Sequence, residues 1–366
     1  MSARRRELTV VAALALVAVC LWALIPTYPN YDAYYHLVWG RELLHGQTPS
    51  FTAYAASTQH PLYLALCALL ALCGQVADRL LVLVAVLGHV AFIWAVYRLG
   101  SAVWDRRAGL AAALLAGSSF ALLLYVARAY VDVLFLAVVF WAAVAEVERP
   151  GRRAPFVLLA AAGLLRPEAW VLSGLLLLWR LRGDGLRRAL PLLPLVALAP
   201  LIWMLVDLLV TGDPLFSLHA TSALAEDLGR TRGLAGALRE GVTFVAGIAR
   251  EPVAAAAVVG AVLAWRRRDA RAVHVLAGLA LGGTLTFLLT SAAGLSVLPR
   301  YLTVPAVVLC LLAGYLVTRS RALVALAVVA GIAFVVVRSS VLGRLTSELR
   351  FIGETRDDMH ALLLSP

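Results

Sequence analysis

PTYPNYDAYYHLVWGRELLHGQTPSFTAYAASTQHPL, residues 26–62, separates two apolar parts of the chain. It holds Asp32, His36, Arg41, Glu42, His45 and His60, with Tyr28, Tyr31, Tyr34, Tyr35 and Tyr54 among them. A connector between two hydrophobic stretches needs no such density of polar groups. Tyr34, Leu37, Val38, Arg41 and Leu44 recur at helical spacing. The pattern predicts an amphipathic helix lying on a membrane surface, with Asp32 at its N-terminal end and available as a cap.

Working outward, 62% of the 366 residues are hydrophobic and 14% charged, against roughly 25% charged in soluble domains. The sequence is that of an all-α, polytopic integral membrane protein. An apolar run needs about 20 residues to cross a bilayer. Runs at 8–25, 79–98, 108–125, 128–146, 189–210, 252–264, 272–291, 301–317 and 322–338 qualify or come close. Shorter pieces at 62–74, 155–165 and 168–180 bring the expected count to about 9–11 spans. The last two flank Arg166-Pro167-Glu168 and read as a broken hairpin, 155–180, with a polar tip. The first run follows three arginines, is as long as a span and shows no small-residue cleavage site before Pro26, so it reads as a retained helix. Cys20, Cys67, Cys73 and Cys310 each sit in an apolar run without metal-ligand spacing and read as small buried hydrophobes.

All 32 basic residues are arginine. Short cytoplasmic loops collect positive charge. A cytoplasmic N-terminus, with 62–74 interfacial, places nineteen of the arginines in the inner segments, including those of WDRR, ERPGRR, RLRGDGLRR and WRRRDAR. The net charge of +11 is then a topology signal, and nucleic acid is not an expected partner. Residues 1–366 form a single transmembrane domain. The first external loop, 26–78, the loop 211–251 and the tail 339–366 lie outside.

This topology brings Asp32, His60, Arg128, Asp132, Arg166, Glu168, Arg300 and Tyr301 to the outer side. Ionisable groups at membrane depth are costly and mark functional positions by default. Each also has a bland reading: Asp32 as a helix cap, His60-Pro61 as a helix start, Arg128 and Asp132 as an i,i+4 ion pair on one helix, and Arg300 snorkelling beside an interfacial Tyr301. Arginine suits phosphate because its planar fork binds two oxygens and stays charged. A carboxylate at the water interface can act as general base on a hydroxyl. There is no GxGxxG motif and no P-loop, so a soluble nucleotide is not the expected donor.

The segments YDAYYHLVWGRELLHGQTP, QHPLYLAL, RLGSAVWDRRAGLAAALL, ARAYVDVLFL, GLLRPEAWVL, TGDPLFSLHATS and LPRYLTVPA resemble, in this order, recurring segments of GT-C glycosyltransferases. That polytopic class includes protein mannosyltransferases and the aminoarabinose transferase for lipid A. The resemblance covers about residues 8–320 and implies a GT-C-like bundle with juxtamembrane helices in the first external loop. It implies transfer of a sugar, with inversion, from a polyprenyl-phosphate donor to a lipid, glycan or protein acceptor, on the extracytoplasmic face of the plasma membrane. Asp32 aligns with the loop acid and would be the base. Arg166, Arg300 and Arg128 would hold the donor phosphate, and Tyr35, His36, His60, Glu168 and Tyr301 would line the substrate site. Some members hold a divalent metal on paired acids. Here Asn30-Tyr31-Asp32-Ala33 has a single acid, which leaves a divalent metal open. The rival readings are a transporter or flippase of lipid-linked glycans and a non-catalytic membrane scaffold.

Overall fold

A computed structural model describes residues 3–25, 27–53, 55–267 and 270–337. The tail 339–366 and part of the WRRRDAR turn lie outside the described residues. Every regular element among the described residues is helical. The first is α1, Ala3–Leu24, whose apolar side chains are largely exposed, as befits a helix facing lipid. It runs antiparallel to α4, Ala77–Val103. The Trp22 indole donates to the Arg79 carbonyl at 2.9 Å. At the other end of the pair, Trp94 donates to Glu7 at 3.1 Å.

Between these two lie α2, Tyr31–Leu44, and α3, Pro61–Ala71. The cap of α2 is Asn30, whose side chain accepts from the Ala33 N–H at 3.1 Å. Asp32 is therefore not the cap, and its carboxylate is left for other partners. The buried residues of α2 are Ala33, Tyr34, His36, Leu37, Trp39 and Gly40, so of the expected stripe Tyr34 and Leu37 are buried while Val38, Arg41 and Leu44 are not. The helix packs on α3. The backbones approach so closely that a Cβ on Gly40 would lie 2.6 Å from the Ala68 nitrogen. At 11 residues, α3 is too short to cross a membrane.

The centre of the bundle is α4 against α5, Arg106–Gly117, and α7, Val131–Glu148. Between the last two runs α6, Phe120–Ala127. Next come α8, Ala154–Leu165, and α9, Glu168–Asp184, which meet at Arg166-Pro167. A short α10, Leu186–Ala189, leads into α11, Leu193–Thr211, which ends on left-handed Gly212 and packs against α8. Outside the bundle core, α12 spans Phe216–Asp227. It is followed by α13, Gly233–Ala249, then α14, Glu251–Arg267, and α15, Ala270–Ala292. The single-turn helix Pro299–Leu302 introduces α16, Thr303–Val317, which sits against α5 and α14. The last helix is α17, Arg321–Val337.

Among the described residues five helices are long and apolar enough to cross a membrane, or seven if each of two bent pairs counts as one span. The protein is thus a helical membrane protein. The difference from 9–11 lies in helices such as α7, α9 and α17, which are 17–18 residues long. That is the short limit for crossing, and α7 also carries Asp132, Glu146 and Glu148.

The bent pairs are α5 with α6, at 62°, and α13 with α14, at 97°. Their breaks hold each other. Ser119 Oγ donates to the Ile248 carbonyl at 2.8 Å, and Arg250 donates to Ser118 Oγ at 2.9 Å and to the Leu115 carbonyl. Backbone groups freed by a break inside an apolar layer need such partners. Helix α13 also packs against α6 and against the Pro299–Leu302 turn. Two cysteines depart from expectation: Cys67 and Cys310 are buried, but Cys20 and Cys73 are exposed.

Candidate functional site

Most of the side chains singled out above meet at one end of the bundle. Asp32 stands in the first turn of α2, and its Oδ2 accepts from Arg300 Nη1 at 3.1 Å. The pair joins residues 268 apart in sequence. Both side chains remain reachable, at 34% exposure for Asp32 and 24% for Arg300.

Behind this pair lies a buried triad. Arg166 donates from Nη1 to Asp132 Oδ1 at 2.6 Å and from Nε to Glu168 Oε1 at 2.7 Å. All three side chains are at most 5% exposed. The Tyr301 ring lies 5.4 Å from the Arg166 guanidinium and 6.0 Å from that of Arg300. An aromatic face there helps hold guanidinium groups in an apolar setting. Proline at 167 places Arg166 in extended backbone between α8 and α9, since the residue before proline is pushed out of the helical region.

Arg128 and Asp132 are not on one helix. The chain turns between α6 and α7 through Ala129, a non-glycine residue at φ 48°. Asp132 turns to Arg166, while the Arg128 guanidinium covers the Tyr28 ring at 4.0 Å. The Arg128 carbonyl accepts from Asn30 N and Nδ2 at 2.7 and 2.9 Å. This ties the cap of α2 to the turn that carries Asp132. The same turn accepts a 2.6 Å bond at the Ala129 carbonyl from the Tyr63 hydroxyl.

His36 and His60 stack with ring centroids 5.2 Å apart and planes 20° from parallel. His36 Nδ1 bonds the Asp32 carbonyl at 2.6 Å, and His60 bonds the Leu165 carbonyl. Burial lowers the pKa of His36 to about 4. Burial, then the charges of its neighbours His36, Arg166 and Arg300, also puts His60 well below the ordinary range. Both imidazoles are neutral at pH 7. Each ring gives one nitrogen to a carbonyl, so His36 Nε2 and His60 Nδ1 are buried acceptors without a hydrogen bond. Asp132 Oδ2, Glu168 Oε2 and Arg300 Nε are likewise buried and unbonded.

Tyr35 stands apart from this group. It makes an edge contact with Tyr31 at 5.0 Å and lies against Trp39 at 5.4 Å, in an aromatic layer with Phe51. Tyr130 joins the site although its sequence position gives no hint of it. Asp32, Arg300, Asp132 and Arg128 all act on its hydroxyl, whose pKa is raised chiefly by burial.

Asp207 was also missed. It is an acid inside an apolar run, the signal used elsewhere. In the structure it accepts from Ser217 Oγ at 2.8 Å, Ser217 N at 2.9 Å and Gln59 Nε2 at 3.1 Å. Those bonds fasten α11 to α12 and fix Gln59 beside His60, whose ring lies 5.5 Å from Trp203.

Among the described residues no group of three or more His, Cys, Asp or Glu could hold a metal ion. No family model and no curated protein matches this sequence.

Proposed function

We propose that this protein is a GT-C-type membrane glycosyltransferase. It would move a sugar from a polyprenyl-phosphate donor to an acceptor hydroxyl on the extracytoplasmic face, with the N-terminus cytoplasmic. The observation that carries the reading is the Asp32–Arg300 pair. It sets a carboxylate and a guanidinium 3.1 Å apart, both partly exposed, at one end of a helical membrane bundle. Three further facts support it: the order of the family-like segments along the chain, the neutral histidines beside Asp32, and the arginine-rich turns at the opposite end.

In this reading the acceptor hydroxyl gives its proton to Asp32 as its oxygen bonds the anomeric carbon. The bond from that carbon to the phosphate oxygen breaks, and the electron pair leaves on the phosphate. Attack opposite the leaving group gives inversion. Arg300 takes the phosphate charge, because it is exposed enough to meet a lipid head group and has one carboxylate partner. Arg166 has two carboxylate partners and is buried. It acts from behind, holding Asp132 and Glu168 and adding positive potential. Arg128 stands on Tyr28 and shapes the turn.

The test uses purified protein, a polyprenyl-phosphate sugar and an acceptor, with donor affinity and turnover measured separately. Asp32→Asn is expected to lose turnover by about 100-fold or more while donor affinity persists. Asn30 rather than Asp32 caps α2, so loss of a cap cannot explain such a result. Normal turnover in Asp32→Asn would overturn the proposal.

The two bent helix pairs favour a second reading, transport of a lipid-linked sugar. Movement of intact donor across a vesicle membrane, without release of polyprenyl phosphate, would select it.

A further inference from the structure

At the end of the bundle away from Asp32, α7, α9 and α15 part around a cavity of about 500 Å³. Ligand pockets span roughly 300–1,000 Å³. The α9 wall runs from Leu172 to Asp184, which at 1.5 Å per residue is about 18 Å. The slot is thus long, and it lies along the helix axes.

Its lining changes character along that length. The deeper part is apolar, with Val139, Ala143, Leu159, Leu172 and Leu279. The polar side chains Glu146, Arg180, Arg182 and Asp184 are confined to the end formed by the last turns of α7 and α9. A compact polar solute does not match an apolar slot of this length. A lipid chain with a charged head does.

The polar end is built rather than incidental. The Arg180 side chain is 6% exposed and donates to Glu146 at 2.5 Å and Asp184 at 3.1 Å. Its Nε is buried with no hydrogen-bond partner. A buried donor left without an acceptor is costly, and a head-group oxygen would satisfy it. The surrounding charge favours an anion: residues 146–153 and 180–188 hold seven arginines and three acids. At the cavity wall Trp179 lies 4.8 Å from the His274 ring, and tryptophan is the residue enriched at head-group level.

We infer that this cavity holds the acyl chain of an anionic phospholipid from the leaflet opposite the candidate site, with its phosphate on Arg180 and Arg182. The inference does not rest on the transferase reading.

The experiment uses the full chain in mild detergent with phosphatidylglycerol carrying a photoactivatable group midway along one acyl chain. Cross-linked residues are mapped by mass spectrometry. Labelling is expected to concentrate on the cavity walls of α7, α9 and α15 and to exceed that by the matching phosphatidylcholine probe. A Cβ on Gly278 would meet nothing within 4 Å, so Gly278→Leu fills the cavity without disturbing the helix contacts. It should cut cavity labelling by roughly tenfold with an unchanged melting temperature. Arg182→Gln should weaken the phosphatidylglycerol preference by about tenfold, the scale of one charge-assisted bond.

Labelling spread evenly over lipid-facing helices such as α1, or unchanged in Gly278→Leu, would overturn the site. Equal labelling by both probes would overturn the anionic head group. Polyprenyl phosphate competing better than unlabelled phosphatidylglycerol would replace the phospholipid by a prenyl lipid.

Discussion

The two ends of the bundle use the same residue types for different work. At the end opposite Asp32, apart from the buried Arg180–Glu146 pair at the cavity, ion pairs join helix termini near water. Arg98 bonds Glu148 at 2.5 Å, and Arg319 bonds Asp105 at 2.6 Å, with every side chain between 25% and 45% exposed. At the Asp32 end the Arg166 triad is sealed, and several polar atoms around it lack hydrogen bonds. Exposed pairs are weak, and their loss leaves groups that water can solvate. Sealed ones are costly to disturb, because the surviving charge stays buried. A fold does not need sealed charge for stability. Among the described residues sealed ion pairs occur at two places, this triad and the Arg180–Glu146 pair at the cavity, and at both the sealed charge points to a role beyond packing.

The sharpest way to break this comparison is Arg166→Ala. It leaves Asp132 and Glu168 buried without their counter-charge and should lower stability by about 3–5 kcal/mol. Melting in detergent is the measurement, and a loss no larger than that of Arg319→Ala would erase the distinction between the ends.

Slightly smaller is the effect of Arg300→Ala on transfer. If Arg300 holds the leaving phosphate, turnover should fall by about 10²–10³, roughly 2.7–4 kcal/mol. Arg300→Lys should recover only part of it, since an ammonium lacks the planar fork. Equal rates for Arg300→Ala and wild type would move the phosphate elsewhere.

Acid should act on the Asp32 end. His36 has a folded pKa of about 4, below its unfolded value of about 6.5. The unfolded chain therefore binds more protons between these values. Stability contributed by neutral His36 is complete above about pH 6.5 and declines as pH falls toward about 4, by a few kcal/mol. His60 adds in the same direction. His36→Gln should flatten the slope of melting temperature against pH over that window. An unaltered slope would show that His36 is not the group that titrates.

The smallest effect belongs to the opposite end. Arg319→Ala and Arg98→Ala should each cost about 0–1 kcal/mol, and less in high salt. A loss comparable to that of Arg166→Ala would show that these exposed pairs carry as much as the sealed triad.

Much of the architecture was legible in the residues themselves. Apolar runs give helices because a bilayer demands internally bonded backbone, and the break at Arg166-Pro167 is written in proline geometry. Asp32, His36, His60, Arg166, Glu168 and Arg300 stood out because charge and imidazole are conspicuous in an apolar chain. Sequence could not decide pairings. Arg128 and Asp132 look like partners at i,i+4, yet a single left-handed residue, Ala129, sends one to Tyr28 and the other to Arg166. Asp32 looks like a cap, yet Asn30 takes that role.

Contacts between residues 268 apart depend on how α2, α7, α9 and α16 pack, and packing is set by side-chain fit across helices, not by any local pattern. The cavity of α7, α9 and α15 has the same origin. Its residues read as ordinary apolar helix faces, and only their arrangement leaves the space. Composition and periodicity thus decided that the chain is a helical membrane protein with charge gathered near its turns. The tertiary structure alone decided which charges are sealed and which can meet a substrate, because burial is a property of neighbours brought from distant parts of the chain.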